Sequence, residues 1–119
     1  MKNNLLPIIE ISTFSSLKES VGEDFIGELI AVYFDETPQL LSRLQKAFDE
    51  QDLETFTRAA HSIKSTSNSF GALQLGTMAK ELEMMGRSGN LEGAPARVEA
   101  LISMYEEVRQ TLEEISHGK

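Results

Sequence analysis

A chain of 119 residues with 40% hydrophobic side chains fits one domain with a modest core and leaves no room for a second. Its formal net charge of −8, from 11 Lys and Arg against 19 Asp and Glu, argues against a nucleic-acid partner, which would need clustered cations. With no cysteine there is no disulfide, no thiolate metal site and no thiol nucleophile, in keeping with a reducing compartment.

The apolar run at the start, Leu5 to Ile9, is short and interrupted by Pro7, so neither a signal peptide nor a membrane span is expected, and the protein reads as cytoplasmic. Residues 5–11 are expected to lie extended, because Pro7 disfavours helix at Leu6 and the isoleucines 8, 9 and 11 can pack locally. A short first helix follows, with Ser12 as N-cap, a Phe14, Leu17, Val21 stripe and a stop at Gly22. Asp24 would cap a long second helix whose stripe runs from Ile26 through Tyr33 and Leu44 to Phe48. Pro38 falls inside it at a cost of roughly 3 kcal/mol. The apolar phase is unchanged across the proline, so a kink is expected and not a break.

Leu53, Phe56, Ala60, Ile63, Ser67 and Phe70 mark the buried stripe of a third helix, with Asp52 as N-cap and Gly71 as C-cap. A fourth helix carries Leu75, Met78, Ala79, Leu82 and Met85, and Gly76 within it predicts close approach to a neighbouring backbone. Gly86 to Gly93 reads as a polar loop. Pro95 suits the first turn of a fifth helix, striped by Val98, Leu101, Tyr105, Val108, Leu112 and Ile115, and the tail from Ser116 should fray. No segment alternates with period two for long enough to make a strand. The fold class is therefore all-α: an antiparallel four-helix bundle with a short additional N-terminal helix.

The polar ridge of the third helix holds Glu54, Thr57, Arg58, His61, Lys64, Ser65 and Asn68, which places His61 in solvent between two cations. The stretch Thr55–Lys80 contains no acid at all, although 19 are spread over the chain. Such surroundings repel a metal cation, so no metal site is expected. No acid lies within six residues of His61 to orient it for Ser-His-Asp catalysis, and Gly86, Gly89 and Gly93 lack the residues of a phosphate loop. An exposed imidazole beside cations can instead receive an anion. Nearby positive charge disfavours the imidazolium and keeps the ring nucleophilic, while Lys64 and Arg58 would stabilise the oxygens of a transferred phosphoryl group. The small residues Ser62, Ser65 and Ser67 would leave room around the ring. A plain surface histidine is the alternative from chemistry alone.

The run Ala60-His61-Ser62-Ile63-Lys64-Ser65-Thr66-Ser67-Asn68-Ser69-Phe70-Gly71-Ala72, with Leu75, Ala79, Leu82 and Glu83 after it, resembles the signature of histidine-containing phosphotransfer (HPt) domains of bacterial phosphorelays. The segment Phe34 to Leu41, proline included, resembles the second helix of that family. The similarity spans roughly residues 12 to 112. It implies one HPt domain over 1–119, with a core of about 12–115 and His61 as the phosphorylated residue. Lys64 matches the lysine beside the phosphoryl group, Gly71 the glycine that closes the active helix, and Ala79 a small residue between helices. Ser65 departs from the commoner glycine. Arg58, Ser67 and Asn68 complete the expected surroundings. The resemblance further implies a carrier and not an enzyme, without a cofactor of its own. The partners would be response-regulator receiver domains, which supply the aspartyl phosphate and Mg²⁺, and a hybrid histidine kinase. Monomer is the default expectation, and a non-phosphorylated helical adaptor for a receiver or kinase is the alternative function.

Overall fold

The stripes read from the sequence become five helices in the computed structural model, which describes residues 7–118: α1 (Ile11–Val21), α2 (Glu23–Glu50), α3 (Leu53–Ser69), α4 (Leu73–Ser88) and α5 (Ala94–Gly118). Connections of a few residues force α2 to α5 into antiparallel neighbours, and α1 lies against α2 and α3. Leu44, Phe56, Ile63, Leu75, Leu82 and Leu101 meet in a fully buried core. Tyr33 donates to or accepts from Ser67 at 2.8 Å inside it, and the Tyr33 ring packs on Phe70 and edge-on to Tyr105. That cluster ties α2, α3 and α5 together at one level of the bundle.

Several local expectations are corrected. Helix α1 starts at Ile11, one residue before the expected cap; Glu10 precedes it and accepts a bond from the Thr13 hydroxyl. Gly22, with φ of 97°, sits at the start of α2, and Asp24 falls in its first turn. Ile9 is buried, whereas Ile11 is exposed on α1; Leu5 and Leu6 lie outside the described residues. Helix α2 continues through Pro38 without a break, because the side chains around it keep one buried register, Tyr33, Thr37, Leu41 and Leu44. Helix α4 runs three residues into the expected loop, with Gly86 buried where an added Cβ would collide with the Thr57 hydroxyl. Helix α5 extends to Gly118, through most of the segment expected to fray, and Lys119 lies outside the described residues.

The turn out of α3 is the one that positions the functional face. Asp52 caps the start of α3 by accepting from the Thr55 amide at 3.1 Å and its hydroxyl at 2.7 Å. At the other end the amides of Gly71 and Ala72 reach back to the carbonyls of Asn68 and Ser67, at 3.0 and 2.9 Å. This paired arrangement demands a left-handed residue at Gly71, whose φ is 90°. The Gly71 carbonyl also accepts from the Glu10 amide at 2.8 Å, and a Cβ on Gly71 would stand 2.7 Å from the Glu10 carbonyl oxygen. The segment before α1 is thereby clasped to the end of α3.

Phe56 is fully buried at the centre of this packing. Phe56→Ala is expected to cost about 3–5 kcal/mol, read as a lower denaturant midpoint, with the loss set by the cavity left behind.

Candidate functional site

His61 projects from the middle of α3 with 54% of its side chain exposed. Its Nδ1 lies 2.9 Å from an oxygen of Glu83, a carboxylate on α4 whose side chain is only 4% exposed. Lys64 Nζ stands 2.8 Å from the second oxygen of Glu83, and an Arg87 guanidinium nitrogen 2.8 Å from the first. One buried carboxylate thus gathers a ring nitrogen, an ammonium and a guanidinium at a single point on the α3–α4 seam. Burial alone would raise the Glu83 pKa. The hydrogen bonds from Lys64, Arg87 and His61, with the Lys64 charge, outweigh that and hold it at about 2, against an ordinary 4.5.

An ionised carboxylate only accepts, so the contact assigns the Nδ1 proton of the ring as the donor. The lone pair of the neutral ring then sits on Nε2, the nitrogen free of Glu83. The arrangement is that of an oriented nucleophile, held as a carboxylate holds the histidine of a hydrolase triad. The expectation that no acid orients His61 is therefore corrected. Acids are absent nearby in sequence, yet one arrives from the neighbouring helix.

The other sequence-derived residues divide. Lys64 shares Glu83 with the ring, and Ser65 lines the open cleft on the opposite side of His61, together with Ser62 and Thr66. Arg58 pairs with Glu54 at 2.5 Å, one turn earlier on α3. Ser67 does not border the ring: it is buried and bonded to Tyr33, since it occupies the apolar register. Asn68 lies on the α3–α4 seam against Gly76, where an added Cβ would collide with its amide. Gly76 thus admits a side chain, in place of the neighbouring backbone that had been expected. Gly71 acts through the turn described above. Sequence reasoning gave no role to Glu83, Arg87 or Arg43, which also lines the cleft from α2. Among the described residues no group of at least 3 His, Cys, Asp or Glu is placed to hold a metal ion.

Above pH 4.5 Glu83 is ionised whether the protein is folded or not, so its full contribution to stability is present. As the pH falls from 4.5 towards about 2, the unfolded chain takes up a proton that the folded one refuses, and the contribution is lost. The stability advantage of the wild type over Glu83→Gln should therefore shrink across that window. Urea midpoints of both proteins at neutral pH and at about pH 3 would measure it.

Comparison with known proteins places this geometry in context. Residues 28–111 match the family model described as the Hpt domain. The chain is 25% identical over 109 residues to the phosphorelay protein LuxU of Vibrio cholerae, covering 92% of this chain and 96% of that protein. It is 22% identical to pseudo histidine-containing phosphotransfer protein 2 of rice, Oryza sativa, across 87% of this chain and 70% of that one. The crystal structure of histidine-containing phosphotransfer protein B (HptB) from Pseudomonas aeruginosa superposes with a TM-score of 0.88 at 29% identity, covering 95% of this chain and 97% of that one.

Proposed function

The chain belongs to the Hpt domain family and is a phosphorelay intermediate, a carrier of phosphoryl groups and not a classical enzyme; we propose that it carries them on Nε2 of His61. The observation that supports this most directly is the Nδ1 contact with Glu83, which leaves Nε2 as the free nucleophile on an exposed ring.

The donor in this reading is the aspartyl phosphate of a receiver domain. Nε2 attacks phosphorus in line, the Nε2–P bond forms as the P–O bond to the aspartate breaks, and the aspartate leaves as a carboxylate. The proton stays on Nδ1, so the phosphorylated ring is positively charged and faces the negative Glu83. Glu83 is a positioning residue here, and Lys64, which uses one of its three donors on Glu83, has two left for phosphoryl oxygens. Arg58, expected from the sequence to share this task, is instead paired with Glu54. The donor receiver supplies the aspartyl phosphate and the Mg²⁺. A second receiver takes the group by the reverse step, and a hybrid histidine kinase stands upstream.

A groove lined by Leu17, Leu29, Val32 and Leu40 adjoins the cleft beside His61 and shares Ser65 and Thr66 with it. It offers a receiver apolar contact next to the reacting ring. No helix among the described residues is long and apolar enough to cross a membrane. Our reading is of one domain, monomeric and cytoplasmic.

The rice relative, whose name marks it as a pseudo phosphotransfer protein, keeps a non-phosphorylated adaptor as the competing reading. Transfer of labelled phosphate from a phosphorylated receiver separates the two. Acid-labile, alkali-stable label is expected on the wild type and none on His61→Gln; no label on the folded wild type from a panel of receivers would favour the adaptor. Lys64→Ala is expected to slow the transfer by roughly tenfold or more with its helicity retained, measured by rapid-quench kinetics and circular dichroism.

A further inference from the structure

The cleft beside His61 has a volume of about 520 Å³, and its far wall is the α2 surface. Arg43 stands on that wall, exposed, and among the described residues it forms no ion pair or side-chain hydrogen bond. The other cations around the ring each hold a carboxylate: Lys64, with two donors to spare, and Arg87 bind Glu83, and Arg58 binds Glu54. From this geometry we infer that Arg43 binds the oxygens of the phosphoryl group carried by His61, reaching it from α2 across the cleft. The inference rests on His61 as the acceptor.

Helix geometry brings the guanidinium to the right level. The buried Tyr33–Ser67 bond fixes the register between antiparallel α2 and α3. From that bond, Arg43 lies about 15 Å along α2 and His61 about 9 Å in the same direction along α3, at 1.5 Å per residue. The Arg43 Cα is thus about 6 Å beyond the turn that carries the ring. Helical side chains lean towards the N-terminus of their own helix, which turns a long arginine on α2 back towards His61.

The space between them suits a phosphoryl group. Ser62 and Ser65 on the α3 wall are small, and both line the cleft. At the other end of the cleft Asp35 and Glu36 would repel an anion, and the Gln39 amide, whose backbone is level with His61, is turned back to the Asp35 carbonyl at 3.0 Å. A phosphoryl group on Nε2 is therefore drawn to the Arg43 end, where the planar guanidinium can take two of its oxygens at once. Arg43 makes and breaks no covalent bond; it stabilises the group before and during transfer.

The test uses the full chain phosphorylated with phosphoramidate, in the wild type and in Arg43→Ala, Arg43→Lys, His61→Gln and, as a surface control on the same helix, Lys46→Ala. Phosphorus NMR reads the phosphohistidine resonance, and mixing with a receiver domain reads the transfer equilibrium. We expect Arg43→Ala to move the resonance and to shift the equilibrium away from the phosphorylated carrier by roughly three- to tenfold. Arg43→Lys should restore part of the shift, Lys46→Ala should match the wild type, and thermal melts should agree throughout. A wild type labelled at His61 alongside an Arg43→Ala with the same resonance and equilibrium overturns the role of Arg43 and leaves His61 standing. Slower transfer from the receiver with an unchanged resonance and equilibrium also overturns it, because Arg43 would then touch the partner. Equal labelling of His61→Gln instead removes the acceptor and the inference with it.

Discussion

The buried carboxylate of Glu83 is the constraint around which the functional face is built. A carboxylate removed from water at this depth is tolerable only when its oxygens are filled with donors. Here the donors are His61, Lys64 and Arg87. The same requirement explains the small residues on α4. Gly76, Ala79 and Gly86 are all buried on the face that carries Glu83, and they let α3 approach closely enough for its polar ridge to reach a group on the next helix. Of all helix pairs in the fold, α3 and α4 pack most extensively. Packing and chemistry share one seam.

The seam also sets the electrical balance of the site. Two cations against one carboxylate leave a surplus of positive charge around the ring, on a chain that is acidic overall. In the transfer we propose, an incoming phosphoryl group meets that surplus, while the ring, once it becomes positive, meets the carboxylate. Steering of the partner comes from the same local field, which acts against the sign of the whole molecule.

Most of the fold was legible because it depends on spacing within single helices. The stripes of α2, α3, α4 and α5 needed only the 3.6-residue period, and Pro38 was read correctly as no break because the phase on both sides agreed. Errors arose where a residue answers to another helix. Gly86 looks like a loop residue until Thr57 is seen filling the space of its missing side chain, and Ser67 looks like a neighbour of the ring until Tyr33 claims its hydroxyl. The role of Glu83 was the costliest miss: the residue was named within the family-like run but given no task, though a signal for one existed. Glu83 interrupts the buried register of α4, next to Leu82, and stands as far after Ala72 as His61 stands before it. In an antiparallel pair joined at Ala72, those two positions come level. Asn68 and Gly76 are matched about the same residue and also meet.

That symmetry gives the two connections of α4 opposite tolerances to changes in length. Adding one residue between Gly71 and Leu73 would leave both helices intact and their stripes readable, yet it would turn α4 by about 100° relative to α3 or force the apolar face out of the core. Glu83 would no longer stand beneath the ring. The loop from Gly89 to Gly93 carries no such register, since among the described residues no α5 side chain pairs with His61 or Glu83. Insertions there can accumulate without cost to the site. Across related chains, the length of the first connection should be held by chemistry, while that of the second is free to drift.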